Sequence, residues 1–111
     1  MGDILRLFGG ILDGASQPYE HRKIGRDASG RFVVSTVDSP DLGYETALCD
    51  KKGAHPVERY DTLEEAEAGH KKWVSTASTL TSVKKLGYGE LVDDKQIELV
   101  PLSDEELAEW T

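Results

Sequence analysis

One cysteine, one methionine and two phenylalanines are all that a chain of 111 residues holds of those types. Cys49 has no partner with which to close an intramolecular disulfide, so packing and hydrogen bonds must hold the fold, and a reducing compartment is the expectation. No charged, apolar, small-residue leader stands at the start, so secretion is not expected. No apolar run approaches the ~18–20 residues that span a bilayer, which argues against a transmembrane protein. Basic residues are also few. Lys and Arg number 13 against 21 Asp and Glu, a formal charge of −8, which argues against direct binding to nucleic-acid phosphates.

Signatures of chemistry are equally sparse. The Gly-x-Ser-x-Gly elbow, the phosphate-binding loop and the dinucleotide fingerprint are absent. Metal binding would draw on Cys49, His55, His70 and His21, but no second cysteine or helical histidine pair completes a tetrahedral set, so neither a metal nor another cofactor is expected. Thiol catalysis would need Cys49 beside a base such as His55 or His70. Strand alternation instead makes Cys49 an inert strand residue. No enzyme activity is expected.

The acidity is local. Residues 90–111 carry eight acidic side chains against Lys95, a charge of −7, which leaves the other 89 residues at −1. At the opposite end Ile4, Leu5, Leu7, Phe8, Ile11 and Leu12 follow the spacing of an amphipathic helix over residues 1–13. Such a helix is too short and glycine-rich to stand alone in water and has to pack on something. Its single Arg6 on the polar face and the negative chain argue against a membrane. Residues 14–30 mix Gly, Ser, Pro and charge without an apolar period and read as a linker.

The core, residues 31–89, reads as strand, strand, strand, helix. Phe32, Val34 and Thr36 alternate with Val33, Ser35 and Val37. After turn residues Ser39, Pro40, Asp41 and Gly43, Tyr44, Thr46 and Leu48 alternate with Glu45, Ala47 and Cys49. A second turn over Asp50–Gly53 leads into a third strand, Val57–Tyr60. Thr62 and Glu65 have capping-box spacing and open the main helix, whose apolar face takes Leu63, Ala66, His70, Trp73, Val74 and Ala77. That helix runs to about residue 86 or breaks among the serines and threonines of 75–82. In the acidic extension, 90–111, Leu91-Val92 and Ile97–Val100 flank a turn and suggest a hairpin. Ser103 with Glu106 and Leu102 with Leu107 then give the box and staple of a short helix through Trp110. The expected class is α+β: a three-stranded antiparallel meander packed by one main helix, with an N-terminal amphipathic helix and an acidic C-terminal hairpin and short helix.

Two sets of residues are candidates for function. Ile4, Leu7, Phe8 and Ile11, with Glu105 and Trp110 of the acidic end, are candidate contacts for a protein partner. An acidic end of this kind is also the one formal route to imitating nucleic-acid phosphates. Tyr44, Glu45, Thr46 and His70 form the alternative, a polar ligand site that Ser35 would join if strands and helix bring these side chains to one side of the sheet. An internal network fixing strand register would explain the same residues.

Val34-Ser35-Thr36-Val37, Tyr44-Glu45-Thr46, Val57, Arg59-Tyr60, Thr62, Glu64-Glu65-Ala66, Gly69-His70 and Trp73-Val74, together with the opening Leu7-Phe8-Gly9-Gly10, resemble a family of small proteins of unassigned function encoded by tailed bacteriophages. The resemblance spans roughly residues 34–74 and the first ten. It implies a phage gene product in the host cytoplasm or the virion, and it transfers no catalytic role. The resulting expectation is a non-enzymatic protein–protein interaction protein: a virion or assembly component, or an inhibitor of a host protein. Its partner would be another copy of itself, a virion protein or a host protein, and the alternative is a small-ligand binding or sequestering protein.

Overall fold

The computed structural model describes residues 23–39, 43–87 and 93–110. The expected N-terminal helix with Ile4, Leu7, Phe8 and Ile11, the turn residues Pro40 and Asp41, and Leu91-Val92 lie outside the described residues. Strands β1 (Lys23–Ser29), β2 (Phe32–Ser39), β3 (Gly43–Asp50) and β4 (Gly53–Tyr60) form one antiparallel sheet in chain order. Helix α1 (Leu63–Thr76) follows, then a 3-10 turn (Ala77–Thr79). Strands β5 (Ser82–Lys85) and β6 (Lys95–Glu98) pair as a second, two-stranded sheet, and α2 (Asp104–Trp110) ends the described chain.

The class is α+β, but the meander has four strands. β1 occupies residues that read as linker, because its sequence, KIGRDAS, carries no apolar alternation. It is a strand by virtue of its partner. Gly30 takes φ of 61° in the tight turn to β2, a conformation that costs glycine little. From there Ser29 pairs Phe32 and Asp27 pairs Val34. The C-terminal pairing also differs from expectation: β6 pairs with β5, so Val83 lies opposite Ile97.

Every residue from Phe32 to Val37 is buried, so β2 has a covered face on both sides. One face carries Phe32, Val34, Leu48 and Val57, packed with Ala77, Val83 and Leu99 and with the half-buried Trp73 and Val74 of α1. The other carries Val33 and Cys49 beneath Leu102 and Trp110. Leu99 and Leu102 thus belong to opposite faces, and the chain crosses round one end of the sheet between them. Backbone bonds fasten the crossing: Lys51 N–H donates to Val100 C=O at 2.9 Å, and Leu102 N–H to Arg31 C=O at 3.0 Å.

Both capping boxes form. Thr62 Oγ1 accepts from Glu65 N–H, and Glu65 accepts in return from Thr62 N–H. Ser103 and Glu106 do the same for α2. α1 stops at Thr76 because Ser75 and Thr76 turn their hydroxyls back onto Lys72 C=O and Thr79 does so onto Thr76 C=O, the competition that ends helices at such residues.

Candidate functional site

The face of the sheet beneath α1 turns polar towards the Thr36 end of β2, because strand periodicity places Thr36 two residues after Val34, and Thr46 two before Leu48. The register sets Thr36 directly opposite Thr46, and their hydroxyls meet at 2.6 Å. His70, on the buried stripe of α1, places Nδ1 2.7 Å from Thr36 Oγ1 and Nε2 2.8 Å from Asp27 Oδ2 on β1. Its ring lies over Gly25, where an added Cβ would sit 2.7 Å from Nε2. A glycine in β1 and a histidine in α1 therefore form one feature.

On its other side Thr46 meets Tyr60 Oη at 2.9 Å, and that phenol lies 3.0 Å from Glu58 Oε1. Trp73 Nε1–H donates to the same Oε1 at 2.8 Å, and Lys72 Nζ donates to both Glu58 oxygens at 2.8 and 3.0 Å. Burial alone would push the Glu58 carboxyl up, but the bonds from Lys72, Trp73 and Tyr60 outweigh it and hold the group below its ordinary value. Burial first, and then the Glu58 carboxylate, push the Tyr60 phenol up to about 12, against the opposing bond to Thr46. Tyr60, Glu58 and Lys72 face an open groove of about 450 Å³ between the end of β4 and α1, bordered also by Asp61, Glu65, Ala68 and Gly69. A phenol, an ammonium and an ionised carboxylate stand side by side there, able to donate to and accept from a polar ligand.

Gly69 lets Tyr60 lie against α1. A Cβ there would lie 2.2 Å from Tyr60 Oη and 2.4 Å from its ring carbons. Helix propensity alone favours alanine over glycine by about 1 kcal/mol in a helix interior. The overlap reverses that sign: Gly69→Ala is expected to lower stability by about 1–3 kcal/mol in urea denaturation. A more stable variant would show that Tyr60 does not need this position.

The structure brings together Thr46 and His70 of the expected ligand set, joined through Thr36. Tyr44 shares their face and pairs across to Tyr60 at the sheet's end. Glu45 does not join them. A period of two puts it on the opposite face, where it accepts from Arg59 Nε–H at 2.9 Å, while Arg59 also donates to Gly87 C=O. Ser35 faces that way too, with its buried hydroxyl unbonded among the described residues. Trp110 corrects another expectation: at 2% exposed it is a core residue of the second face, not a surface contact. Glu105 is exposed on α2. Its neighbours Asp104 and Glu106 pair with Arg31 and Lys51, the latter at 3.0 Å.

Cys49 is fully buried, and burial pushes its thiol well above the ordinary range. His55 bonds Asp50 at 2.8 Å. Asp50 is the residue that sequence reasoning missed: fully buried, it also accepts from Lys52 N–H and Val100 N–H at 2.9 and 2.8 Å. Among the described residues, no group of three or more His, Cys, Asp or Glu could hold a metal ion, and no helix is long and apolar enough to cross a membrane. Compared with protein-family models, with curated proteins and with solved structures, the chain finds no match.

Proposed function

We propose that the chain is a non-enzymatic protein–protein interaction protein of the phage type it resembles, serving in a virion or its assembly, or as an inhibitor of a host protein. One observation supports this above the others: the chemistry-bearing side chains are bonded to one another. His70 is engaged at both ring nitrogens, Glu58 by Lys72, Trp73 and Tyr60, and Asp50 by a histidine and two backbone amides. Groups spent in this way fix strand register, whereas a catalytic acid or base needs a free position beside its substrate. What remains for contact is surface, and Ile4, Leu7, Phe8 and Ile11 supply its apolar part in this reading.

The test is absolute mass in solution by light scattering across a wide concentration range. With a second copy as the partner, the wild type is expected to self-associate, and Leu7→Asp combined with Phe8→Asp to give a folded monomer whose urea midpoint does not depend on concentration. A wild type that is monomeric throughout would exclude a second copy and leave a virion or host protein as the partner, and a variant that is itself unfolded would place these residues in the chain's own core. The groove beside Tyr60 favours a second reading, small-ligand binding, which moves from Glu45 and His70 to Glu58, Tyr60 and Lys72. There a thermal shift on adding small polar metabolites, lost in Tyr60→Phe, is the expected sign.

A further inference from the structure

Five contacts run in series from the edge of β1 to the groove: Asp27 to His70 (2.8 Å), His70 to Thr36 (2.7 Å), Thr36 to Thr46 (2.6 Å), Thr46 to Tyr60 (2.9 Å) and Tyr60 to Glu58 (3.0 Å). Each contact needs one proton. The two carboxylates at the ends supply none, the three hydroxyls supply one each, and the imidazole supplies one when neutral and two when charged. A charged ring therefore fills every contact, with all hydroxyls donating away from His70 and Tyr60 donating to Glu58. A neutral ring leaves the series one proton short.

The place of the deficit follows from the partners. With the ring proton kept on Nε2 for Asp27, Nδ1 becomes an acceptor. Thr36 then donates to His70, Thr46 to Thr36 and Tyr60 to Thr46. The bare pair is Tyr60 and Glu58, where the carboxylate still holds Lys72 on both oxygens and Trp73 on Oε1. We propose that these hydroxyls form a proton-ordered relay, through which the charge on His70 at one edge of the sheet sets whether Tyr60 donates to Glu58 in the groove. A pH change is thereby converted into a change of donor and acceptor pattern on a binding surface, with no heavy atom having to move.

Besides Asp27, which bonds the ring, β2 carries Asp38 two residues beyond Thr36 on the same face, and Glu67 and Lys71 stand three residues before and one after His70 on α1; Lys23 of β1 pairs with Val37, beyond the register shift and on the other face. β3 offers the neutral Thr46 and Tyr44, and β4 reaches the ring only through Tyr60 and Glu58. Any of these charges could influence the groove through space, so the test has to separate field from relay.

The indole N–H of Trp73 reports on Glu58, and that of Trp110, beneath the opposite face, serves as the internal reference. In heteronuclear NMR of the full chain between about pH 5 and pH 8, where histidine changes charge, the Trp73 indole resonance is expected to move with the same midpoint as the His70 ring. Thr46→Val interrupts the hydroxyl series but leaves every charge in place. In that variant the Trp73 indole response is expected to fall several-fold relative to that of the His70 ring. Tyr60→Phe, a second break that removes only one oxygen, is expected to do the same. An indole that is static in the wild type, or that moves equally in either variant, would overturn the relay.

Discussion

Replacing Asp50 with alanine is expected to cost about 3–5 kcal/mol, the range for removing one partner of a buried, hydrogen-bonded charge set. In a domain of this size that is a fall in melting temperature of about 15 °C or more. The side chain is fully buried at the β3–β4 turn, yet three donors converge on it: the His55 ring and Lys52 N–H from the same hairpin and, from 50 residues away, Val100 N–H. Val100 lies where the chain passes from one face of the sheet to the other, so Asp50 joins the hairpin turn to the crossing segment. Without the carboxylate two part-buried backbone amides and a buried imidazole lose their acceptor together.

Acid should expose the same group. Burial alone would raise the Asp50 carboxyl, but the bonds from His55, Val100 and Lys52 outweigh it and hold the folded value below the ordinary one. A folded value below the unfolded one, near ~3.9, contributes stability that is whole above that pH and is lost as pH falls through the folded value. Urea midpoints of the wild type and Asp50→Asn should therefore differ most near neutrality and converge on acidification below about pH 4. A gap that stays constant with pH would mean that the carboxylate's charge is not what the three donors recognise.

Asp50 also shows where sequence reasoning stops. Phe32–Val37 and Tyr44–Cys49 declare themselves because side-chain alternation is a local property, and both capping boxes are readable because their partners sit three residues apart. The same alternation, applied strictly, separates Glu45 from Thr46, since neighbours on a strand point to opposite faces. β1 is different in kind. Its residues carry no apolar period, and a register shift between Lys23 and Gly25 interrupts what period there is, so its pairing with β2 is what makes it a strand. His70 and Asp27 are 43 residues apart in sequence. Nothing local to either announces the other, although Gly69 and Gly25 mark the two places where a missing Cβ lets an aromatic ring approach backbone. A glycine on the buried side of a helix that could equally hold alanine is a legible sign of close packing, even when the ring that packs there is not.

Trp110→Ala is expected to cost about 3–5 kcal/mol, the usual consequence of emptying a large aromatic site in a core. Its ring is 2% exposed and packs with Val33, Cys49 and Leu102, while the Arg26 guanidinium stands 5.6 Å from its centroid, within the range of a cation–π contact. α2 is only seven residues long, too short to persist by itself. The helix is held instead by Trp110 and Leu102 below, by the Ser103–Glu106 box at its start, and by Arg31 and Lys51 pairing with Asp104 and Glu106. The acidic end is thus folded against the sheet, and its charge is displayed on a fixed surface. Trp110→Phe, which keeps most of the buried area, should recover most of the loss in urea denaturation, and it separates packing from the indole's polar edge. A Trp110→Ala variant with the wild-type midpoint would show that α2 contributes nothing to the second face.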